Sequence, residues 1–260
     1  MTTKVDSREA MAFAMELADV ARPIALKYFR TPMTVTSKSD GTPVTLADQA
    51  IEAELRRRIR ERFPDHGIIG EETGGGRGER HTWIIDPIDG TRGFVSGCPL
   101  FGTMIGLLRE DEAVFGLIDI PATGERWVGD GRETSFNGRK AHASDCASLA
   151  EARLYTTSID IPAPADLERL NRVCSRVSFT RYSGDCYAYG LLASGHCDLV
   201  IDFGLDPYDY LPLVGVVTGA GGAITDWQTR SLCVQSDGRV VAAATQTLLD
   251  QAIRTLQEPD

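Results

Sequence analysis

Thr82-Trp83-Ile84-Ile85-Asp86-Pro87-Ile88-Asp89-Gly90-Thr91 decides how the rest of the chain is read. Thr82 to Ile85 form a short apolar strand that delivers Asp86 to its carboxyl end, where ligands of open α/β sheets bind. Pro87 removes a backbone donor and stiffens the turn that follows. Asp86 and Asp89, three residues apart, can face one metal centre, with the Ile88 carbonyl between them as a further oxygen donor. Gly90 allows a backbone to approach a ligand closely. If a helix starts there, its free N–H groups can hold a phosphate, and Thr91 adds a hydroxyl. Hard oxygen donors without a nearby His or Cys select Mg²⁺ or Mn²⁺ over zinc. Taken alone, the hexapeptide 86–91 also reads as an Asp-Pro turn followed by an Asp N-cap.

Two further segments bear on that choice. Gly70-Glu71-Glu72 follows the apolar run Ile68-Ile69; by itself it reads equally well as a solvated strand end. In Leu205-Asp206-Pro207-Tyr208-Asp209, Asp206 is an N-cap and Pro207 sits at the first helical position. Asp209 then falls near the third, where the helix dipole favours its anionic form. Simple capping explains that segment on its own. Together, Glu71, Asp86, Asp89 and Asp209 each fall at a strand end or helix start, which suits a multi-metal phosphohydrolase.

Outward from these segments the chain alternates helices and strands. Apolar residues at helical spacing (Met11, Ala14, Met15, Ala18, Ile24, Ala25, Tyr28) predict a long helix from Ser7 to about Arg30, with Pro23 as a candidate kink. Lys38 to Pro43 is turn chemistry. Thr45 caps a helix over 47–63, and Thr73 to Arg80 is a Gly-rich loop. Strands are expected at 102–108, 113–120 and 125–128, with a hairpin connection at 109–112 and a turn at Asn137-Gly138. The second half predicts strands at 153–156, 177–180, 199–201, 223–225 and 240–243. Helices are expected there at 165–174, 185–194, 207–219 and 246–256. This alternation argues for a layered α/β protein. The change of pattern near residue 150 suggests two halves of one domain, about 1–150 and 151–260, sharing one cleft.

Bulk properties narrow the function classes. A chain of 260 residues with formal charge −10 does not hold nucleic acid through a broad basic surface. A phosphorylated substrate remains compatible, because bound cations reverse the local sign. No run approaches 18 apolar residues, so no membrane span is expected. The N-terminus does not read as a signal peptide, which makes the cytoplasm the expected location. The six scattered cysteines form no Cys-x-x-Cys pair and are expected to be reduced. The four histidines have no zinc-binding spacing.

With these residues in hand, the sequence resembles the inositol monophosphatase superfamily. The resemblance rests on Pro43-Val44-Thr45-Leu46-Ala47-Asp48, Gly70-Glu71-Glu72, Trp83 to Thr91, and Asp209 followed by Gly219-Ala220-Gly221-Gly222. It implies a layered αβαβα sandwich of the inositol monophosphatase / fructose-1,6-bisphosphatase type, acting as a homodimer with two or three Mg²⁺ ions per site. Glu71, Asp86 and the Ile88 carbonyl would bind the first ion, and Asp86, Asp89 and Asp209 the second. Glu71 would share a third, weaker ion, and Glu72 would stand behind the ligands. Thr91, hydrogen-bonded to Asp48, would orient and help deprotonate the attacking water. The backbone of Gly90 and Thr91 would hold the phosphate, and attack would be in line without a phosphoenzyme.

The chain departs from the family at Tyr208-Asp209, where Trp-Asp is usual, and at Arg92-Gly93-Phe94 after the core motif. Phe101-Gly102-Thr103, Glu125-Arg126-Trp127, Gly184 to Tyr189 and Gly204 to Asp209 resemble instead its histidinol-phosphatase branch, although Asp206 stands where that branch often has Lys. L-histidinol phosphate is therefore the expected substrate. Gly184, Asp185 and Asp202 map near the substrate pocket, with Asp206 at its rim, and clustered carboxylates favour a cationic substrate. Asp185 as a plain helix cap and Asp202 as a solvated residue are the alternatives. Competing functions are a phosphatase of inositol 1-phosphate or another small sugar phosphate, a 3′-phosphoadenosine nucleotidase, and a scaffold without activity.

Overall fold

The structure is a computed structural model that describes residues 7–32, 35–37, 43–157 and 163–259. The Lys38–Pro43 turn lies outside these residues except for Pro43. In chain order the first half comprises α1 (Ser7–Tyr28), β1 (Val35–Ser37), β2 (Pro43–Thr45), α2 (Leu46–Arg62), β3 (Gly67–Gly70), β4 (Gly74–Gly76), β5 (His81–Asp89) and α3 (Thr91–Ser96). It continues with β6 (Gly102–Arg109), β7 (Glu112–Ile120), β8 (Glu125–Gly129), β9 (Thr134–Phe136) and β10 (Arg139–Ala141). The second half comprises β11 (Arg153–Thr156), α4 (Pro164–Cys174), β12 (Phe179–Tyr182), α5 (Asp185–Ala193), β13 (Leu199–Asp202), α6 (Pro207–Gly219), β14 (Ala223–Asp226), β15 (Val240–Ala243) and α7 (Gln246–Leu256).

Two sheets and three helix pairs stack as five layers. The large sheet has strand order β10-β9-β8-β7-β6-β5-β3-β4 and is antiparallel except where β3 runs parallel to β5. The small sheet has order β12-β11-β13-β15-β14 and mixes both senses. Helices α1 and α2 cover the outer face of the large sheet over a core that includes Leu17, Ile51, Leu55, Trp83 and Leu117. Helices α5 and α6 fill the space between the sheets, around Ile118, Trp127, Tyr189, Val200 and Leu213. Helices α4 and α7 close the far face of the small sheet around Leu154, Leu170, Val241 and Leu249. The expected αβαβα sandwich is thus the observed fold.

Local chemistry explains several of these elements. The side chain of Thr45 accepts from Ala47 N and that of Asp48 accepts from Thr45 N, a capping box that starts α2. The buried stripe of α1 is Ala10, Ala14, Leu17, Ala18, Ala21 and Ala25, whereas Met15 is exposed. Small residues on that stripe let α1 pack closely on α2, and the helix runs on through Pro23. Helix α6 approaches the large sheet closely at Gly116, where an added Cβ would lie 1.6 Å from the Pro212 carbonyl oxygen. That contact fixes the height of α6, and therefore of Asp209 at its start.

The structure corrects four local expectations. Part of the Gly-rich loop is a strand, because Gly74-Gly75-Gly76 pairs with β3, and a Cβ on Gly75 would lie 2.0 Å from Ile68 O. Thr134–Phe136 and Arg139–Ala141 form an additional hairpin on either side of Asn137-Gly138, both with positive φ as the tight turn requires. Strand β12 begins at Phe179 rather than Val177, in register with Arg153 of β11. Strand β5 does not end at Asp86 but runs to Asp89.

Candidate metal centre

That last difference creates the site. In a regular strand, residues three apart point to opposite faces of the sheet. Asp86 pairs with Met104 and Asp89 with Gly102, so Pro87 and Ile88 together oppose the single residue Thr103. This is a β-bulge, which inserts one extra residue and re-aims the side chain beyond it. Asp89 thereby returns to the face of Asp86. Pro suits a bulge because it has no ladder donor to lose. The Pro87 carbonyl is satisfied by the buried Thr103, whose Oγ1 donates to it over 2.8 Å.

Carboxylate oxygens of Asp86, Asp89 and Asp209 lie within 4.8 Å of one another. Helix starts hold two of the three. The Cys186 amide at the start of α5 donates to Asp89 Oδ2 over 2.5 Å. The Asp206 amide donates to Asp209 Oδ2 over 2.8 Å, within the capping box of α6. Capping and metal ligation are thus compatible, because the cap uses one oxygen and leaves the other. Asp48 repeats the pattern in α2: Oδ2 accepts from Thr45 N at 2.8 Å and Thr45 Oγ1 at 2.5 Å, while Oδ1 has no partner. Asp86 Oδ1 is likewise buried without a hydrogen-bond partner.

Burial first, and mutual repulsion second, push these groups out of the usual carboxylate range. Asp86 is raised well above its ordinary value by burial and then by Glu71, Asp89 and Asp209. Asp209 is raised well above its ordinary value by burial and then by Asp89. Asp89 is raised to about 6 by burial, against the bond from Cys186 that lowers it. Two carboxylates 4.8 Å apart repel by about 3–4 kcal/mol at an effective dielectric of about 20. Three such pairs rival the whole stability of a domain, so full ionisation of the trio requires a compensating cation. An all-oxygen donor set with unpartnered buried oxygens fits a hard divalent ion such as Mg²⁺.

Glu71 lies outside that trio but beside it, sharing a hydrogen bond with Asp86. Its amide donates to Ile85 O of β5 over 3.3 Å. Glu72, next in the chain, is half-buried. Gly90 has φ 79° and ψ 38°, a left-handed conformation that opens α3. Thr91 Oγ1 donates to the Ile88 carbonyl over 2.9 Å. The expected Thr91–Asp48 hydrogen bond is therefore replaced by two local ones, Thr91 to Ile88 and Thr45 to Asp48.

The expected substrate residues take different places. Gly184 is buried against Ala188 and Tyr155 and precedes α5. Asp185 adopts φ 44°, an uncommon conformation for a residue with a Cβ. A Cβ on Gly90 would lie 3.1 Å from the Asp185 carboxylate, so that side chain stands directly over the turn. Burial, with Asp89 and Asp202 nearby, raises Asp185 to about 8, while Arg92 opposes the shift. Asp202 is buried, neither solvated nor at an open face. It accepts from Tyr189 Oη at 2.8 Å, Thr157 N at 2.7 Å and Thr156 Oγ1 at 3.4 Å, which places it beneath the site.

Two contributors escaped the sequence reading. Thr103 belonged to a quoted motif, but its role depends on a bulge that no spacing reveals. The Cys186 amide is a backbone donor and leaves no side-chain signature. The cysteines are free, and Cys186 is held as the thiol by burial and the adjacent Asp89.

The sequence profile of the Inositol monophosphatase family matches residues 6–259. The chain is 42% identical over 266 residues to Bifunctional phosphatase IMPL2, chloroplastic, of Arabidopsis thaliana, covering 98% of this chain and 76% of that protein. It is 37% identical over 243 residues to Histidinol-phosphatase of Chlorobaculum parvum, covering 89% and 91%. An inositol monophosphatase structure from Zymomonas mobilis superposes with a TM-score of 0.89 at 39% identity, covering 98% of this chain and 100% of that one. With the carboxylate cluster, the five-layer fold and these matches in place, the chain belongs to the inositol monophosphatase family and is a phosphatase of that family.

Proposed function

We propose that this phosphatase hydrolyses L-histidinol phosphate with Mg²⁺, by direct attack of water on phosphorus. The observation that carries the substrate assignment is the Asp185 carboxylate over Gly90, backed by Asp89 and Asp202. Burial holds the Asp185 carboxyl as the acid near neutral pH, and a nearby cation draws it into its anionic form, so the site gains nothing from a substrate that carries only phosphate and hydroxyls. It suits one whose ammonium and imidazole groups supply that cation. The 37% identity to a protein named Histidinol-phosphatase supports the same reading.

Asp86, Asp89, Asp209, Glu71 and the Ile88 carbonyl would hold the ions. When bound, Mg²⁺ lowers the pKa of a water and offsets charge on the leaving oxygen. The backbone of Gly90 and Thr91 would position the phosphate. Thr91 and Asp48 would orient the water and take its proton. This role requires the Thr91 hydroxyl to turn from the Ile88 carbonyl toward Asp48 Oδ1. Substrate contact is assigned to Asp185, while Asp202 supports it from below and Asp206 contributes charge at the rim.

An inositol phosphate substrate is the second reading, favoured by 39% identity to an inositol monophosphatase. The proposal includes a cytoplasmic homodimer; no helix of the described residues is long and apolar enough to cross a membrane. A histidine-requiring strain that lacks histidinol-phosphate phosphatase provides the test. Rescue by the wild-type chain but not by Asp89→Asn is expected. Failure of a well-expressed, Mg²⁺-dependent phosphatase to rescue growth contradicts the substrate assignment.

A further inference from the structure

Helix α2 carries Asp48, Glu52 and Arg56 at successive intervals of four residues, on one face. All three are buried. Glu52 receives four donors. Its Oε2 accepts from Glu72 N at 2.7 Å. Its Oε1 accepts from Thr73 N at 3.0 Å, Thr73 Oγ1 at 2.6 Å and Arg56 Nε at 2.8 Å. Arg56 Nη2 donates in turn to the Gly74 carbonyl. Gly70 fits against this pair only without a side chain, because an added Cβ would lie 2.8 Å from both Glu52 Cδ and Arg56 Nη2.

Glu52 thus grips the two backbone amides immediately after Glu71, while the Glu71 amide is held by Ile85 O. The backbone that presents Glu71 to Asp86 is clamped on both sides. We infer that Glu52 is a positioning residue for the divalent-cation site: through the Glu72 and Thr73 amides it sets where the Glu71 carboxylate stands. The inference rests on the reading of the carboxylate cluster as a metal site. Residues that orient ligands from behind are worth about 10- to 100-fold in metal affinity. A buried ion pair that served stability alone would leave that affinity unchanged.

The test is Mn²⁺ titration of the metal-free full-length protein by calorimetry, with thermal unfolding of the same samples in chelator. Glu52→Gln keeps the shape but removes the charge from the clamp and is expected to weaken Mn²⁺ binding about ten-fold. Thr73→Val removes only the hydroxyl donor and is expected to weaken it about three-fold. Asp198→Asn breaks a pair between a buried carboxylate and the partly exposed Arg153, far along the chain. It is expected to lower the unfolding temperature without changing Mn²⁺ affinity. If Glu52→Gln does not fold, Thr73→Val decides. Wild-type affinity in the clamp variants, or equal weakening in Asp198→Asn, overturns the inference while leaving the metal reading intact. Absence of Mn²⁺ binding by the wild type overturns the metal reading and this inference with it.

Discussion

The Cys186 amide donates to Asp89 Oδ2 over 2.5 Å and ties the end of β5 in the first half of the chain to the first turn of α5 in the second. Ser183 and Asp185, both with positive φ, turn the chain so that this amide points at the carboxylate. Non-glycine residues in that region cost of order 1 kcal/mol each, and their presence beside a carboxylate cluster marks the turn as part of the site.

Asp89→Asn tests the consequence. The amide oxygen can still accept from Cys186, so the fold is kept while one charge leaves the cluster. Phosphate release is expected to fall at least about 100-fold, since metal-supported charge stabilisation is worth several kcal/mol. The metal-free variant is expected to unfold at the same temperature as wild type or higher, because repulsion is relieved. Near-normal turnover at saturating Mg²⁺ would sink the ligand assignment.

Thr103 tests the bulge. Thr103→Val keeps the volume but leaves the Pro87 carbonyl buried without its donor. A loss of about 1–3 kcal/mol in urea unfolding is expected, together with weaker Mg²⁺ activation. Thr103→Ser restores the hydroxyl and is expected to recover most of both. Equal behaviour of the two variants would contradict the role of that bond.

Stability of the metal-free protein should fall as pH rises. Asp89 and Asp185 are raised from 3.8 to about 6 and about 8, and Asp86 and Asp209 are raised well above 3.8. Between pH 4 and 8 the folded state holds protons that the unfolded chain releases. This stabilisation is complete below the unfolded pKa and is lost as pH climbs through the folded values. Thermal unfolding in chelator is expected to drop roughly 5–10 °C from pH 5 to 8. Saturating Mg²⁺ is expected to flatten that profile and to release protons on binding. A stability that rises with pH in chelator would contradict the electrostatic account.

Gly90→Ala tests the turn under Asp185. The left-handed φ costs the alanine about 1 kcal/mol, and its Cβ would press on the Asp185 carboxylate at 3.1 Å. A rise in KM larger than the fall in stability is expected. Unchanged KM would remove both residues from substrate binding.

Much of this was legible in the sequence because it rests on local chemistry. Thr45, Asp206 and Pro207 announced helix starts, and the αβαβα stack followed from strands and helices set by periodicity and from the family resemblance. The bulge was not legible, since two residues opposing one depends on the register against β6. The exchange of Thr91's partner for the Ile88 carbonyl was equally hidden, as was the second use of the Asp209 cap. At Asp209 one carboxylate oxygen satisfies the helix cap and the other is left for the proposed metal site, and spacing cannot divide a carboxylate between two tasks. Glu52 carried no motif; three of its four donors come from the Glu72-Thr73 turn that only the folded chain brings to it, and the fourth is Arg56 one helical turn away.

The most direct test of the central claim is the ratio of kcat/KM for L-histidinol phosphate to that for inositol 1-phosphate, measured at saturating Mg²⁺ for wild type and Asp185→Asn. Histidinol phosphate is expected to be favoured by the wild type, and the variant is expected to lose much of this preference through a raised KM for the cationic substrate alone. A wild-type preference for inositol 1-phosphate, or an equal effect of the substitution on both substrates, would contradict the central claim.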